Sequence, residues 1–272
     1  MNRPEQPQHL FPVADVQSRS DDRQLGIDDV GIKGLRYPLL FADGGQPGQP
    51  TIATCNVYVR LAAERKGTHM SRLIALLEAR TAGSEPPLTV HNLRDVLDAM
   101  LVLLDAPGGR IELAFPFFVR KTAPVSGVAS LLDYEVRLTG ELEGGDYRQT
   151  VAVAVPVTSL CPCSKEISEY GAHNQRSVIT ITAREREPVS LSELIRVAET
   201  EASSELYGIL KRADEKYVTE HAYNNPRFVE DLVRGVAGRL AVDPRLDGFS
   251  VEAENFESIH NHSAYARITR GL

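Results

Sequence analysis

Two cysteines and a histidine lie in one segment near the middle of the chain, residues 161–176, whose sequence is CPCSKEISEYGAHNQR. The segment has neither the period of a helix nor that of a strand, and it is not low in sequence complexity. A connection of this length is typically either functional or disordered, and this composition favours function. A thiol and an imidazole on one loop indicate a metal site, or a nucleophile with its base.

Cys161 and His173 are the candidate metal ligands of this segment. A thiolate and an imidazole together suit Zn²⁺ or Fe²⁺. A small buried cysteine and a surface histidine explain the same residues equally well, because two ligands do not define a site. The sequence offers no Cys-x-x-Cys pair, so a metal bound here would be incompletely ligated, as in a catalytic centre. Cys163 is either a second ligand or a packing residue, and we favour packing.

Acidic residues are frequent in residues 214–230, at the junction of two predicted helices. Most of them fit a solvated link between the helices. Glu230 differs because it falls in the first turns of the second helix, beside an apolar stripe. We expect it to be partly buried there and aimed at a ligand.

Histidines mark two other segments. His260 and His262 lie in a turn between two predicted strands, where an imidazole serves as a proton-transfer group or a ligand. A simple polar turn is the commoner explanation. His69 lies in residues 66–72, which begin a helix with Lys, Ser and Arg nearby. The N-terminus of such a helix can bind an anion, and ordinary capping explains the segment equally well.

The composition bounds the class of protein. The chain has 272 residues, of which 42% are apolar and 25% charged, as in a globular soluble protein of one large domain or two modules. No apolar run approaches the roughly 20 residues that cross a bilayer. The net charge of −7 disfavours a general nucleic-acid surface but permits an anionic small molecule.

The N-terminus and the cysteines indicate the compartment. Residues 1–25 contain no apolar signal-peptide core, and we predict that they form a disordered tail. Three cysteines do not make a disulfide framework, so the thiols are expected to stay reduced. Both observations favour a cytoplasmic protein.

Apolar periodicity and turn signals give the same order of elements twice. In the first half, strands are predicted at 30–41, 51–62, 111–121 and 132–138, and helices at 70–80 and 90–105. In the second half, strands are predicted at 147–157, 178–184, 249–256 and 263–269, and helices begin at Leu191 and near Asn225-Pro226.

Each half is therefore a ββααββ module, an antiparallel sheet with two helices on one face, and the fold class is α+β. We predict a first module over residues 26–142 and a second module, carrying most of the candidate site, over 143–272. Two short sheets in tandem would leave free edges, which an oligomeric barrel would pair.

The chain resembles the type IB GTP cyclohydrolases, the metal-dependent enzymes of the tunnelling fold. The resemblance rests on SLCPCSK at 159–165 and GAHNQR at 171–176. Four shorter blocks support it: KGTHMSR at 66–72, DEKYVTE at 214–220, NPRFVED at 225–231 and ESIHNH at 257–262. The blocks lie in order from about Asp28 to the C-terminus, so the resemblance covers nearly the whole chain.

This resemblance implies an activity and an assembly. The activity is hydrolytic opening of GTP to 7,8-dihydroneopterin triphosphate and formate, the first step of tetrahydrofolate and pterin biosynthesis, with a divalent metal that would be Zn, Mn or Fe. The assembly is a homotetramer of two-module tunnelling-fold subunits with active sites between subunits.

The resemblance also implies roles at the metal. Cys161 corresponds to the thiolate ligand, and His173 to an imidazole ligand or its close neighbour. Glu215 corresponds to a carboxylate at the metal. His260 corresponds to a ligand or proton shuttle, so Cys161, His173 and His260 are the implied catalytic residues.

Substrate binding is implied for other residues. Glu230 corresponds to the anchor that accepts hydrogen bonds from the N–H edge of guanine, and Lys165, Arg176 and His69 are further substrate-binding candidates. Candidate cations for the triphosphate are Lys66, Arg72, Lys165, Arg176 and Arg212.

Two alternatives remain open from the sequence. A related cyclohydrolase would use the same residues and release a cyclic-phosphate dihydroneopterin. A non-catalytic tunnelling-fold protein that binds a pterin or purine would release no formate from GTP with any metal.

Overall fold

The structure is a computed structural model that describes residues 15–81 and 86–272. The first part of the predicted tail, residues 1–14, lies outside the described residues. From residue 15 the chain lies against the segment that follows the second strand. Ser20 forms a β-bridge with Arg65, and the Lys66 amide donates to the Arg19 carbonyl at 3.1 Å.

The described residues form nine strands and six helices. The strands are β1 (Ile27–Phe41), β2 (Gln49–Leu61), β3 (Gly108–Thr122), β4 (Ala129–Glu143), β5 (Asp146–Leu160), β6 (Asn174–Glu185), β7 (Ser204–Glu205), β8 (Leu246–Asn255) and β9 (Ala264–Arg270). The helices are α1 (Met70–Thr81), α2 (Leu93–Leu104), α3 (Pro162–Ile167), α4 (Leu191–Glu201), α5 (Arg212–Asn224) and α6 (Val229–Leu240). None of these helices is long and apolar enough to cross a membrane.

All nine strands belong to one antiparallel sheet, in the order β1-β2-β3-β4-β5-β6-β8-β9, with β7 paired to the end of β5. The two halves are joined because β4 and β5 pair directly, down to Glu143 opposite Asp146. Gly144 and Gly145 make this hairpin with φ of 58° and 89°, which glycine adopts without steric cost. The prediction of two separate short sheets is therefore wrong.

The first half has the predicted order of elements, and the second half has more helix than predicted. Residues 212–224, interpreted as part of a charged link, form α5. The last helix begins at Val229, not near Asn225-Pro226, because the Arg227 amide donates to the Leu160 carbonyl at 3.0 Å and holds the chain extended. The Phe228 amide is then capped by the Asp231 carboxylate at 2.9 Å.

The core lies between the helices and one face of the sheet. The predicted apolar stripe of α2 is buried at Leu93, Val96, Leu97, Met100, Leu101 and Leu104. Alternate residues of β5 face this layer, and Val151, Val153, Val155 and Val157 are fully buried. Burial of such apolar side chains is the main force that holds helices on a sheet.

One carboxylate from the first half caps a helix of the second half. Asp43, in the β1–β2 loop, is buried and accepts hydrogen bonds from the Leu191 amide at 2.9 Å and the Ser192 amide at 3.0 Å. It also accepts from the hydroxyls of Ser190, at 2.8 Å, and Ser192, at 2.7 Å. The contact satisfies the N-terminal amides of α4 from a residue nearly 150 positions away.

Replacing Asp43 with alanine should destabilise the fold. The change leaves the amides of Leu191 and Ser192 without this acceptor, and we expect the free energy of unfolding to fall by about 2 kcal/mol. Chemical denaturation followed by circular dichroism measures this loss. Asp22→Ala, at an exposed carboxylate, is the control and should stay within about 0.5 kcal/mol of the parent protein. An equally small loss for Asp43→Ala would contradict the capping role.

Candidate active site

The sheet brings Cys161 and His173 together, as the sequence predicted. The β5–β6 ladder ends with Leu160 opposite Asn174, so these two residues are the first beyond the last pair. The Cys161 amide donates to the His173 carbonyl at 3.1 Å. Ser164 supports this contact, because its hydroxyl donates to the Cys161 carbonyl and accepts from the His173 amide, both at 3.2 Å.

Cys161 also begins the short helix α3. It is the residue before Pro162, which occupies the first helical position, where its missing amide hydrogen costs nothing. The Cys161 sulfur accepts from the Ser164 amide at 3.4 Å, which fixes the direction of the side chain. The residue is half-buried, so its sulfur lies at the boundary between the core and solvent.

The His173 ring is held on one side by a buried amide. Its Nδ1 lies 2.8 Å from Gln175 Oε1, and the Gln175 Nε2 donates to the Ser159 hydroxyl at 3.2 Å. That hydroxyl is 2.7 Å from the hydroxyl of Ser177. The His173 Nε2 has no hydrogen-bond partner among the residues that the structure describes, which leaves it open to a ligand.

Sequence reasoning missed Gln175, Ser159 and Ser177. Their signal is a change on the inward face of two strands, where apolar residues such as Val157 and Ile179 give way to buried polar ones at one end. A buried polar group costs free energy unless it is hydrogen-bonded. Three adjacent buried polar residues therefore indicate a function other than core packing. This signal becomes readable once the strand register is known.

Glu230 and Lys165 lie at the same end of the sheet. Glu230 is in the first turn of α6, three residues after Arg227, whose amide binds the Leu160 carbonyl. It is exposed, not partly buried as we expected from the apolar stripe. The Lys165 ammonium donates to the Tyr223 carbonyl at 2.5 Å and lies 4.3 Å from the centre of the Tyr223 ring, so it ties α3 to the end of α5.

His260 approaches the same end through the β8–β9 loop. Two residues earlier in that loop, the Ser258 hydroxyl lies 3.3 Å from His173 Nδ1. His260 is exposed, and its ring stacks on that of His262 with 5.0 Å between the ring centres. The loop therefore contacts His173 through Ser258 and carries an exposed pair of stacked imidazoles.

Arg176 and Cys163 are both exposed. Arg176 follows Gln175 on β6, so its side chain faces away from the helices, and its carbonyl accepts from the Phe256 amide at 3.0 Å. Cys163 is an exposed free thiol, which means that the packing role we expected for it is wrong.

Glu215 lies at the start of α5, while Lys165 contacts the end of that helix at Tyr223. Eight residues of helix separate Glu215 from Tyr223, a distance of about 12 Å along the axis. Its neighbour Asp214 fixes this end of α5 by accepting from the Val125 and Ser126 amides, each at 2.8 Å. Glu215 is therefore at the same end of the sheet as Cys161, but at the other end of α5 from the residue that Lys165 contacts.

His69 lies at the opposite end of the sheet. It follows β2, whose last residues pair with the first residues of β1 and β3, whereas Cys161 follows the last residue of β5. His69 borders a cavity of about 280 Å³ that is also lined by Arg65, Arg72 and Asp105. Within one chain, His69 cannot share a site with Cys161.

These positions leave the predicted metal set unassembled. Among residues 15–81 and 86–272, no group of three or more His, Cys, Asp or Glu side chains lies close enough together to hold a metal ion. Cys161 and His173 are adjacent, and His260 lies on a neighbouring loop. The complete set of Cys161, His173, Glu215 and His260 stays a prediction.

A partly buried ionic cluster that the sequence did not reveal lies near β7. The Lys121 ammonium, on β3, contacts the carboxylates of Glu199 at 2.7 Å and of Glu205. Tyr134 and Tyr207 each donate to one of these carboxylates at 2.7 Å. Burial raises the pKa of Glu199, and the hydrogen bond from Lys121 works against that shift. Because each carboxylate is fully paired, the cluster holds β7 and α4 to the sheet.

Comparison with known families identifies relatives over nearly the whole chain. The model of the family described as type I GTP cyclohydrolase folE2 matches residues 13–266. A GTP cyclohydrolase FolE2 of Paraburkholderia xenovorans (strain LB400) is 60% identical over 260 residues, 96% of this chain and 96% of the relative. One of Burkholderia multivorans (strain ATCC 17616 / 249) is 59% identical over 260 residues, 96% of this chain and 95% of the relative. The predicted likeness to type I GTP cyclohydrolases is confirmed, with the description folE2 in place of type IB.

Solved structures with a similar fold are urate-oxidising enzymes. Uricase from Arthrobacter globiformis superposes with a TM-score of 0.51 at 11% identity, covering 90% of this chain and 93% of that one. A hyperthermostable mutant of Bacillus sp. TB-90 urate oxidase gives 0.52 at 10% identity, covering 90% and 98%. At such identities the likeness concerns the fold alone, and it confirms an α+β fold of the tunnelling type.

The anchoring of α5 should depend on pH through Asp214, which is fully buried. Burial by itself raises the pKa of this carboxyl, but hydrogen bonds from Ser126 and from backbone amides outweigh it and hold the pKa below its ordinary value of 3.8. A depressed pKa stabilises the folded state above the unfolded pKa, and the contribution is lost as the pH falls through the folded pKa.

We therefore expect Asp214→Asn to be less stable than the parent protein at about pH 7, with the difference narrowing below about pH 4. Urea denaturation at a series of pH values measures both chains. A difference that stays constant down to about pH 3 would show that ionisation of Asp214 does not anchor the helix.

Proposed function

The chain belongs to the type I GTP cyclohydrolase folE2 family and is a GTP cyclohydrolase of folate biosynthesis, and we propose that its active site is built on Cys161 and His173. The proposed reaction opens the imidazole ring of GTP and releases formate and 7,8-dihydroneopterin triphosphate. The observation that supports the proposal is the hydrogen bond from the Cys161 amide to the His173 carbonyl, which brings the two residues together at the end of β5 and β6. The His173 Nδ1 is paired with Gln175, and the Nε2 is open to a ligand.

The donor set fits a divalent metal. Cys161 offers a sulfur whose direction is fixed by α3, and His173 offers a nitrogen whose ring is fixed by Gln175. We propose that Glu215 and His260 complete this set in the assembled enzyme. The ion, which would be Zn, Mn or Fe, supplies Lewis-acid activation of the water that attacks GTP.

The chain's own residues supply recognition and proton transfer. Glu230, exposed at the first turn of α6, would accept two N–H groups of guanine. Adenine lacks that donor pair and would leave the carboxylate unpaired, which rejects it. His260 would carry protons as the ring opens and formate leaves. Lys165 and Arg176 are proposed as contacts of the triphosphate.

We propose that the sites lie between the subunits of a homotetramer. His69 and Cys161 are at opposite ends of one sheet, so a site that uses both needs two chains. The outer strands β1 and β9 each have one unpaired edge among the described strands, and pairing them with other subunits would close an oligomeric barrel. We place this assembly in the cytoplasm, which the three free thiols support.

Cys161→Ala should lose the metal and the activity together. The parent protein, stripped with a chelator and resupplied separately with Zn²⁺, Mn²⁺ or Fe²⁺, should regain formate release from GTP with at least one of them. We would measure metal content by mass spectrometry and formate release from GTP. The control is Cys163→Ala, which removes an exposed thiol and should keep the metal. Activity that survives chelation would refute the metal mechanism.

The mass of the product separates the linear triphosphate from a cyclic phosphate.

Glu230→Gln should keep the metal and weaken GTP binding. Loss of the charged acceptor removes two charge-assisted hydrogen bonds, so we expect the Kd of GTP to rise about 10- to 100-fold. Binding is measured by calorimetry with a GTP analogue whose imidazole ring cannot be opened. Glu187→Gln, at an exposed carboxylate on the other end of the sheet, is the matched control. Unchanged affinity in Glu230→Gln would rule out the anchor role.

A further inference from the structure

Gln175 occupies an unusual position for an amide. It is the second residue of β6 and faces the helices, with 7% of its surface exposed. Ser159, its partner on β5, and Ser177, two residues further along β6, are fully buried. The neighbouring inward positions, Val157 and Ile179, are apolar, so the sheet changes from apolar to polar within one step along each strand.

The polar row ends at the imidazole of His173. From Ser177 the hydrogen bonds run to Ser159, then to the Gln175 amide group, and from Gln175 Oε1 to His173 Nδ1 at 2.8 Å. Burying these groups gains little stability relative to apolar side chains, because their hydrogen bonds mainly offset the loss of water. What the row does provide is a fixed partner for one nitrogen of the ring.

We propose that Gln175 is a positioning residue that sets the tautomer of His173. A neutral imidazole carries one N–H, and a carbonyl oxygen can only accept. With Oε1 facing Nδ1, the ring hydrogen lies on Nδ1 and the lone pair lies on Nε2, the nitrogen that is open to a ligand. The neutral ring can then bind a metal through Nε2 with no prior movement of a proton.

One other contact and one alternative orientation of Gln175 bear on this assignment. The Ser258 hydroxyl is 3.3 Å from the same Nδ1, but it lies on an exposed loop and is the longer contact. A reversed Gln175 amide would instead donate to Nδ1 and place the ring hydrogen on Nε2, which would close that nitrogen to a metal. The two orientations of Gln175 therefore predict different tautomers of His173, and the tautomer can be measured directly.

The inference deepens the proposed function and rests on it for the role of the metal, but the tautomer itself can be measured in metal-free protein. We would label histidine with ¹⁵N and record long-range ¹H–¹⁵N spectra in mildly alkaline buffer, where histidine side chains are neutral. His173, assigned by its loss in His173→Ala, should show the Nδ1–H pattern. In Gln175→Met, which removes the acceptor at similar size, the Nε2–H form should become the major one.

Metal affinity is the second measurement. Competition with a chromophoric chelator for Co²⁺ should show affinity about 10- to 100-fold lower in Gln175→Met, the usual cost of losing such an orienting contact. Gln175→Glu keeps an acceptor for Nδ1–H and should restore both the tautomer and the affinity. Ser258→Ala should leave the tautomer unchanged.

A matched control separates positioning from loss of a buried amide. Gln149 is a second buried glutamine, on β5 at the other end of the sheet, where it donates to the Val90 carbonyl at 2.9 Å and to Glu185 at 2.6 Å. Gln149→Met should lower the thermal unfolding temperature while keeping the His173 tautomer and the Co²⁺ affinity.

The outcomes distinguish this inference from the proposed function. An Nε2–H pattern in the parent protein, or an unchanged tautomer in Gln175→Met, overturns the positioning role. If the tautomer shifts as expected but Cys161→Ala binds Co²⁺ as tightly as the parent protein, the metal site is wrong while the assignment of Gln175 to the ring stands. If Gln149→Met lowers Co²⁺ affinity as much as Gln175→Met, the effect is one of stability and the inference fails.

Discussion

The geometry of the candidate site depends on the register of one strand pair. Because the β5–β6 ladder ends at Leu160 and Asn174, the next residue on each side begins the loop, and the Cys161 amide meets the His173 carbonyl. A slip of one residue would turn Gln175 to the other face of the sheet and separate it from Ser159. The buried apolar residues next to this end on both strands fix the register, so core packing and site geometry are set by the same ladder.

The sequence predicted the elements whose packing gives a periodic signal. The stripe of α2 is long and strongly apolar, and the predicted helix at 90–105 lies within a few residues of the observed Leu93–Leu104. In α5 the buried residues are Asp214 and Ala222, so no apolar period marks it as a helix. Its position depends on contacts of Asp214 with the β3–β4 turn, 88 residues away at Ser126, and such contacts leave no local pattern.

The site was predictable to the extent that residue type alone indicates chemistry. Cys161 and His173 stand out because thiols and imidazoles are rare and reactive. Gln175 does not, because a glutamine in a strand is an ordinary polar residue until its face is known. The predicted strand begins at residue 178, three residues beyond Gln175, whereas β6 begins at Asn174, so the prediction assigns Gln175 to neither face of the sheet. The register supplied by the structure turns it into a buried amide next to an imidazole.

The topology also limits what a single chain can do. In an antiparallel meander, successive connections alternate between the two ends of the sheet, and β2 leaves the sheet at the end opposite to that where β5 leaves it. The strands are up to 15 residues long, so these ends are separated by about 45 Å. No side-chain rearrangement spans that distance. If residues 66–72 take part in the reaction at Cys161, they do so from another subunit. The family resemblance of residues 66–72 and of residues 159–176 then reflects one site assembled from two chains.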